Sequence, residues 1–224
     1  MSKKLLTIKQ AMAHFNVTES LLMDLIKNGT LHAYKKGNTT KIDENEMTEW
    51  ISNLSDSEIH KLSQNKNRKK FSDFFRPSYI ILDFKADNKF EAISELAKKA
   101  RSLGLVKDHR WLYDILIARE ELASTAIGNG VAMVHPRHPH PAKIKKPAII
   151  FGRSKKEIDF EAVDNKPVKI YFLLLLHNDA QHLFSIAYIS KCLLRPNILD
   201  LLKTVKNPHE ISKILHGEYN EKDE

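Results

Sequence analysis

The chain has 224 residues, 42% of them hydrophobic, and a formal net charge of +8. This length predicts one or two domains with packed cores. The single cysteine, Cys192, excludes an intrachain disulfide framework and fits a reducing compartment. The longest apolar run, 170–176, is too short to cross a bilayer, because a spanning helix needs about 20 residues. The first ten residues lack the apolar core of a signal peptide. We therefore expect a cytoplasmic protein without a membrane span.

Residues 1–54 have the pattern of a small unit of three helices and a hairpin. Thr7 and Thr18 are typical N-caps, and each precedes a short amphipathic stretch. Residues 31–42 predict a β-hairpin, because a Gly-Asn pair lies at their centre. Asp43 is the expected cap of a third helix.

A polar, lysine-rich stretch, 55–75, predicts a linker. Strand and helix patterns then alternate over 76–216, and 217–224 forms a polar tail. This alternation predicts an α/β domain with a mixed sheet flanked by helices. The expected strands are Ser78–Phe84, Val131–Val134, Ala148–Phe151 and Val168–Leu176. The expected helix starts are Asp87 or Asn88, Asp108, Asn178 or Asp179, and Asn207.

The N-terminal stretch LTIKQAMAHFNVTESLLMDLIKNGTLHAYKKGNTTKIDENEMTEWI resembles the excisionase-like, MerR-type winged helix-turn-helix. In that family the second helix enters the major groove of DNA, and the hairpin contacts phosphates. The resemblance implies DNA contacts from Thr18 and Ser20 on the second helix, and from Lys35, Lys36 and Lys41 on the hairpin.

The second helix also carries Glu19 and Asp24 on the face that family members fill with arginine and serine. Carboxylates near phosphates repel them and lower nonspecific affinity for DNA. A glutamate can nevertheless read cytosine, so sequence-specific binding is compatible with this face. The alternative interpretation is a module that dimerises or docks a protein partner.

The stretch NGVAMVHPRHPHP places His135, His138 and His140 close together, each followed by proline. Imidazoles in such a cluster predict either a metal site or covalent chemistry on one of them. The intervening prolines hinder convergence on one ion, and carboxylates are scarce nearby. We therefore expect no metal and no cofactor, with His138 and His140 as loop residues.

The segments REELASTAIGNGVAMVH, VDNKPVKIYFLLLL and DAQHLFSIAYISKCLL occur in an order similar to the type 2 enzyme IIA domain. That domain belongs to the phosphoenolpyruvate-dependent phosphotransferase system, in its fructose, mannitol and nitrogen-regulatory class. The resemblance implies a histidine phosphocarrier, with His135 as the phosphate acceptor. It also implies that Arg119 lies beside the phosphate, that the hydroxyl of Thr125 donates to it, and that His182 faces the acceptor.

The sequence departs from the family pattern around the acceptor. The family usually has proline before the histidine and a small residue after it, whereas Val134 and Pro136 stand here. Pro136 lacks a backbone N–H that could hold phosphate, and Arg137 adds a positive charge.

These patterns together predict a two-domain regulator of phosphotransferase type. A phosphorylated histidine carrier protein is the expected donor to His135, and DNA or a regulated protein is the expected partner of the helix-turn-helix. A homodimer is expected, because winged-helix regulators bind pseudo-palindromes as dimers. Two alternatives remain: a plain phosphocarrier for a sugar permease, and a non-phosphorylated binding module derived from enzyme IIA.

Overall fold

The computed structural model describes residues 5–54, apart from 16, 18 and 38, and residues 70–218. By its contacts the chain divides into two compact units. The first comprises Met1–Arg68 together with Asp179–Lys191, and the second comprises Lys69–Asn178 together with Cys192–Glu224. Each unit has its own buried apolar residues.

The first unit begins with strand β1 (Leu5–Thr7) and helices α1 (Ile8–Phe15) and α2 (Glu19–Lys27). Strands β2 (Tyr34–Lys36) and β3 (Thr39–Asp43) form the predicted hairpin, and helix α3 (Glu44–Asn53) follows. The sheet has the order β1-β3-β2, with antiparallel pairing throughout. The hairpin prediction is confirmed, whereas β1 was not predicted.

Local hydrogen bonds explain where two of these helices start. The backbone N–H of Gln10 donates to Thr7 Oγ1, and the N–H of Thr7 donates to Gln10 Oε1, which is a reciprocal cap. Asp43 accepts from the N–H of Asn45 at the start of α3. Both predicted caps are confirmed, and the expected cap Thr18 lies outside the described residues.

The second unit contains β4 (Ile80–Phe84), α4 (Lys89–Ser102) and α5 (His109–Glu120). Strands β5 (Ala126–Gly128), β6 (Val131–Val134), β7 (Ala148–Ile158) and β8 (Val168–Leu175) follow. Helix α6 comprises Asp179–Leu193. Its residues Asp179–Lys191 are grouped with the first unit, and its last two residues with the second. Helices α7 (Ile198–Thr204) and α8 (Pro208–His216) end the described chain.

These five strands form one mixed sheet in the order β4-β7-β8-β6-β5. The pairs β4–β7 and β6–β8 are parallel, whereas β7–β8 and β5–β6 are antiparallel. The apolar core includes Leu96, Leu112, Leu116 and Tyr171. The predicted mixed α/β class is therefore confirmed.

Side-chain caps again set the helix starts. Asn88 accepts from the N–H of Glu91 at α4, and Asp108 accepts from the N–H groups of Arg110 and Trp111 at α5. Asn207 caps α8 in the same way. Strand β7 extends well past the predicted end at Phe151: Arg153 pairs with Ile170 of β8 and, beyond a shift in register, Ile158 pairs with Val168.

Three aromatic residues lie in the stretch that the pattern assigned to the linker. Phe71, Phe74 and Phe75 are buried, and the carbonyl of Phe74 accepts from the N–H of Ile149 in β7. These residues thus pack with the second unit. Phe90 in α4 and Leu194, directly after α6, are 43% and 68% exposed, although both are large hydrophobic residues.

Within residues 5–54 and 70–218, no helix is both long and apolar enough to cross a membrane.

Candidate functional site

His135 directly follows β6, a strand whose four residues are all buried. Strand β6 lies between β5 and β8 in the sheet, and its last residue, Val134, is paired with Leu173 of the parallel strand β8. The position of His135 is therefore set by an interior strand, which holds a reacting group more rigidly than a loop does. His135 itself is 3% exposed.

Two hydrogen bonds define the protonation of the His135 ring. Nδ1 lies 2.8 Å from the carbonyl oxygen of Met133, and Arg119 Nε donates to Nε2 at 3.2 Å. A carbonyl only accepts and a guanidinium only donates. Nδ1 must therefore carry the proton, and Nε2 presents its lone pair on the side of Arg119. This is the tautomer required of a nucleophile at Nε2.

Arg119 lies in the last turn of α5 and is 1% exposed. Its Nη1 donates to the carbonyl of Ala123 at 2.8 Å, which holds the guanidinium in place. Burial lowers the pKa of Arg119, the neighbouring charge of Glu120 opposes this shift, and the charge of Arg137 adds to it. An arginine keeps its proton in proteins, so a fixed positive charge stands beside Nε2.

Arg137 is exposed two residues after His135. Its positive charge contributes to lowering the pKa of Arg119. Guanidinium groups form strong, charge-assisted hydrogen bonds with phosphate oxygens. The arrangement is suited to the negative charge of a phosphoryl group.

Thr125 does not direct its hydroxyl to His135. Its Oγ1 donates to Glu120 Oε2 at 2.5 Å, and its backbone N–H also donates to the Glu120 carboxylate. The carbonyl of Thr125 accepts from the N–H of Met133 in β6. Thr125 therefore connects the end of α5 to the strand that carries His135.

Glu120 belongs to the candidate site, although the sequence motifs did not indicate it. It is 3% exposed, although it carries a carboxylate. Its adjacency to Arg119, with a threonine five positions later, was visible in the sequence. The pattern could not show that the carboxylate closes a loop onto the backbone of Thr125, because that depends on how residues 121–124 turn.

His182 lies in the first part of α6, within the segment grouped with the first unit, and is 3% exposed. Arg119, Thr125 and His135 belong to the second unit. The structure thus brings Arg119 and His135 into direct contact, with Thr125 one step removed. The role of His182 opposite the acceptor stays a prediction.

The other two histidines of the proline-rich loop have different surroundings. His138 is exposed, whereas the ring of His140 packs edge-on against Trp111 at a centroid distance of 5.3 Å. Burial lowers the pKa of His140, and the charges of His138 and Lys143 add to this effect. In the part of the chain that the structure describes, no three His, Cys, Asp or Glu side chains are placed to hold a metal ion.

The residues expected to contact DNA lie on α2 and the hairpin. Ser20 on α2 and Lys35 on β2 are exposed, and Lys41 on β3 is half-buried. Glu19 and Asp24 are exposed on α2, so the acidic character of that helix is a surface property. Thr18 and the side chain of Lys36 fall outside what the structure describes.

Residues 73–217 match the family model described as phosphoenolpyruvate-dependent sugar phosphotransferase system, EIIA 2. This match covers more than half of the chain, and the chain belongs to that family. Residues 5–55 match a helix-turn-helix domain.

Relatives at the level of single proteins agree with this assignment. A nitrogen regulatory protein of Bradyrhizobium diazoefficiens is 34% identical over 146 residues, which cover 64% of this chain and 93% of that protein. A fructose-specific EIIA component of Haloferax volcanii is 29% identical over 138 residues, covering 61% and 88%.

Solved structures show the same fold. The nitrogen regulatory protein IIA-Ntr from Neisseria meningitidis superposes with a TM-score of 0.57 at 29% identity, covering 65% of this chain and 97% of that one. IIA mannitol from Escherichia coli gives a TM-score of 0.56 at 19% identity over 63% and 98%, a likeness of fold alone. The chain therefore combines a nitrogen-regulatory-like IIA domain with a helix-turn-helix domain.

Proposed function

We propose that the chain is a regulatory histidine phosphocarrier, in which Nε2 of His135 accepts a phosphoryl group from a phosphorylated histidine carrier protein. The observation that carries the proposal is the pair of hydrogen bonds on His135. They leave Nε2 unprotonated and place it 3.2 Å from the guanidinium Nε of Arg119. We infer a cytoplasmic location, where such a carrier protein would be available.

The transfer step is balanced between two imidazoles. The Nε2 lone pair of His135 attacks the phosphorus of the donor phosphohistidine and forms a new N–P bond. The donor N–P bond breaks, and its electron pair returns to the donor imidazole. No proton leaves Nδ1 of His135, because the Met133 carbonyl holds it throughout.

Arg119 has to change its partner during this step. In the free site its Nε–H donates to Nε2, and after attack that lone pair is used in the N–P bond. The same N–H then donates to a phosphoryl oxygen, with Arg137 as a second positive charge. Charge stabilisation by fixed donors is the main protein contribution to phosphoryl transfer.

His182 and Thr125 have the supporting roles in this proposal. His182 donates a hydrogen bond to the phosphoryl group on His135, as the family resemblance implies. Thr125 acts through positioning, because its hydroxyl is used by Glu120 and its carbonyl by Met133.

The helix-turn-helix domain is proposed to turn the phosphorylation state into a change in DNA or protein binding. A phosphoryl group adds roughly −1.5 to −2 charge and so alters the surface around Arg137. The exposed Lys35 and the exposed Ser20 support DNA contact, whereas Glu19 and Asp24 support a protein partner. Binding of DNA as a homodimer is part of the same proposal.

The test is the intact mass of the full chain after incubation with phosphoenolpyruvate, enzyme I and the histidine phosphocarrier protein. We expect one acid-labile phosphate on wild type and none on His135→Ala. The matched control is His138→Ala, which removes an exposed histidine of the same loop and should keep the phosphate. A phosphate that survives His135→Ala would refute the assignment of the acceptor. A folded wild type that gains none would favour the non-phosphorylated binding module.

A further inference from the structure

A cavity of about 430 Å³ lies within the second unit, away from His135. Its walls include the turn before β6, the start of β8 and the segment from the end of α6 into α7. Gly130, at the cavity, and His135 lie at opposite ends of β6. At about 3.3 Å per residue this strand separates them by roughly 16 Å. The cavity is therefore distinct from the proposed phosphocarrier site.

The lining carries four basic and two acidic side chains, a net charge of +2. The basic residues are Lys166, Lys169, Arg195 and Lys203, and the acidic residues are Glu157 and Asp200. Within the described ranges, none of these six side chains forms an ion pair. The basic and acidic side chains of the lining are therefore not paired with each other, and both remain able to bind a ligand in the cavity.

Two of the four cations have structural partners. Lys166 Nζ donates to Asn129 Oδ1, and Arg195 donates to the carbonyls of Cys192 and Ile214. These bonds hold the turn and the C-terminal helices in place. They account for Lys166 and Arg195 without any ligand.

Lys169 and Lys203 are not accounted for in this way. Both are half-buried, and within the described ranges neither side chain makes a hydrogen bond or an ion pair. The positive charge of Lys169 contributes to lowering the pKa of Asp83. The carboxylate of Asp83 already accepts two hydrogen bonds from Arg153. An anion that bridges both lysines would give each ammonium group a charged hydrogen-bond partner.

Close packing restricts one position in the cavity wall to glycine. A Cβ at Gly130 would lie 3.2 Å from the carbonyl oxygen of Pro167, so that residue stays glycine for steric reasons. Gly130 has a φ of +78°, which favours glycine as well. Pro167, Leu193 and Leu199 add apolar surface that suits a short carbon skeleton.

We propose that this cavity binds a small phosphate monoester of a sugar. The phosphate would lie between Lys169 and Lys203, and the hydroxyl groups would donate to the carboxylates of Glu157 and Asp200. A dianion matches the net charge of the lining. The proposal is independent of phosphorylation at His135 and goes beyond the phosphocarrier function.

The test uses the full-length, ¹⁵N-labelled protein, with inorganic phosphate and ribose 5-phosphate as probes. We expect both to shift the backbone amides of Lys169 and Lys203, and ribose 5-phosphate to bind more tightly. Ribose, which lacks the phosphate, should cause no shift. Lys169→Gln and Lys203→Gln should each weaken ribose 5-phosphate binding by about tenfold. Lys213→Gln, an exposed lysine of α8, is the matched control and should leave binding unchanged.

Three outcomes would overturn the proposal. One is the absence of shifts around the cavity with either probe at millimolar concentration. Another is unchanged binding in both lysine variants. The third is a set of shifts confined to the region of Arg119 and His135 and abolished by Arg119→Gln, which would place the anion at the phosphocarrier site. Equal affinity for the two probes would retain the phosphate subsite and refute the role of Glu157 and Asp200.

Discussion

Arg119 Nε donates a hydrogen bond to His135 Nε2 at 3.2 Å, and both side chains are almost fully buried. This contact joins the last turn of α5 to the residue after β6. It aims one donor of the guanidinium at the ring atom where a phosphoryl group would be attached. Most of the expected chemistry of this family member depends on that single geometry.

Arg119→Lys should slow phosphoryl transfer to His135 by about a hundredfold. Lysine keeps the charge but cannot hold the Ala123 carbonyl and the phosphoryl oxygens together, as a planar guanidinium can. The measurement is the initial rate of phosphate gain from the phosphorylated carrier protein. Arg110→Lys changes an exposed arginine of the same helix and is the control. Equal rates for Arg119→Lys and wild type would show that a positive charge at this position is sufficient and that the guanidinium geometry is not needed.

Thr125→Val should destabilise the protein by about 1–3 kcal/mol. The buried Glu120 carboxylate would lose the hydroxyl donor at 2.5 Å and keep only the backbone N–H of Thr125. Urea unfolding measures the effect. Thr204→Val is the matched control, because the hydroxyl of Thr204 is exposed and donates to a helix carbonyl. A Thr125→Val protein as stable as wild type would contradict the proposed support role of this contact.

Arg153→Met should cost about 3 kcal/mol or more. Arg153 is 2% exposed, binds Asp83, and donates to the carbonyls of Leu202 and Val205 at the end of α7. Methionine fills the space but leaves two carbonyls without this donor. Unfolding followed by circular dichroism would check the value, with Arg101→Met on the exposed side of α4 as control. A loss no larger than that of the control would show that water replaces Arg153.

Asp83 should make stability depend on acidic pH. Its hydrogen bond from Arg153 holds the pKa of this carboxyl below its ordinary value of 3.8, and the charges of Arg153, Lys169 and Lys206 act in the same direction against partial burial. A carboxyl with a lower pKa in the folded state stabilises the fold above its unfolded pKa. That contribution is lost as the pH falls through the folded pKa.

The free energy of unfolding of Asp83→Asn should therefore be lower at neutral pH and should fall less steeply between about pH 5 and pH 2. Asp114→Asn, an exposed aspartate of α5, should keep the wild-type slope. Parallel curves for wild type and Asp83→Asn would remove Asp83 from the explanation of acid sensitivity.

The helix-turn-helix face can be tested by changing its charges. If α2 faces DNA, Glu19→Gln together with Asp24→Asn should raise nonspecific affinity, because two repulsive carboxylates are removed. Lys35→Gln should lower it and reduce the salt slope by about 0.9. Fluorescence anisotropy at several salt concentrations is the measurement, with Lys98→Gln in the second unit as control. No dependence on any of these charges would favour a protein partner for this domain.

Features that depend on neighbouring residues were predictable from the sequence. Thr7, Asn88 and Asp108 cap helices because a side-chain oxygen reaches N–H groups two or three residues ahead. The hairpin of β2 and β3 follows from its turn pair and alternating pattern. The family resemblance predicted His135 as the acceptor with Arg119 beside it, and the structure places these two side chains in contact.

Features that depend on distant residues were decided by the tertiary structure. The three-residue strand β1 is defined by its pairing with β3, and β7 reaches Ile158 through a pairing with Val168 of β8 that lies beyond a shift in register. The hydroxyl of Thr125 was expected at the phosphate but donates to Glu120, since the turn after α5 brings that carboxylate closer. A sequence pattern records which groups can donate or accept. Which of these groups form a hydrogen bond depends on the packing of the whole unit. The net free energy that favours a folded arrangement is only about 5–15 kcal/mol.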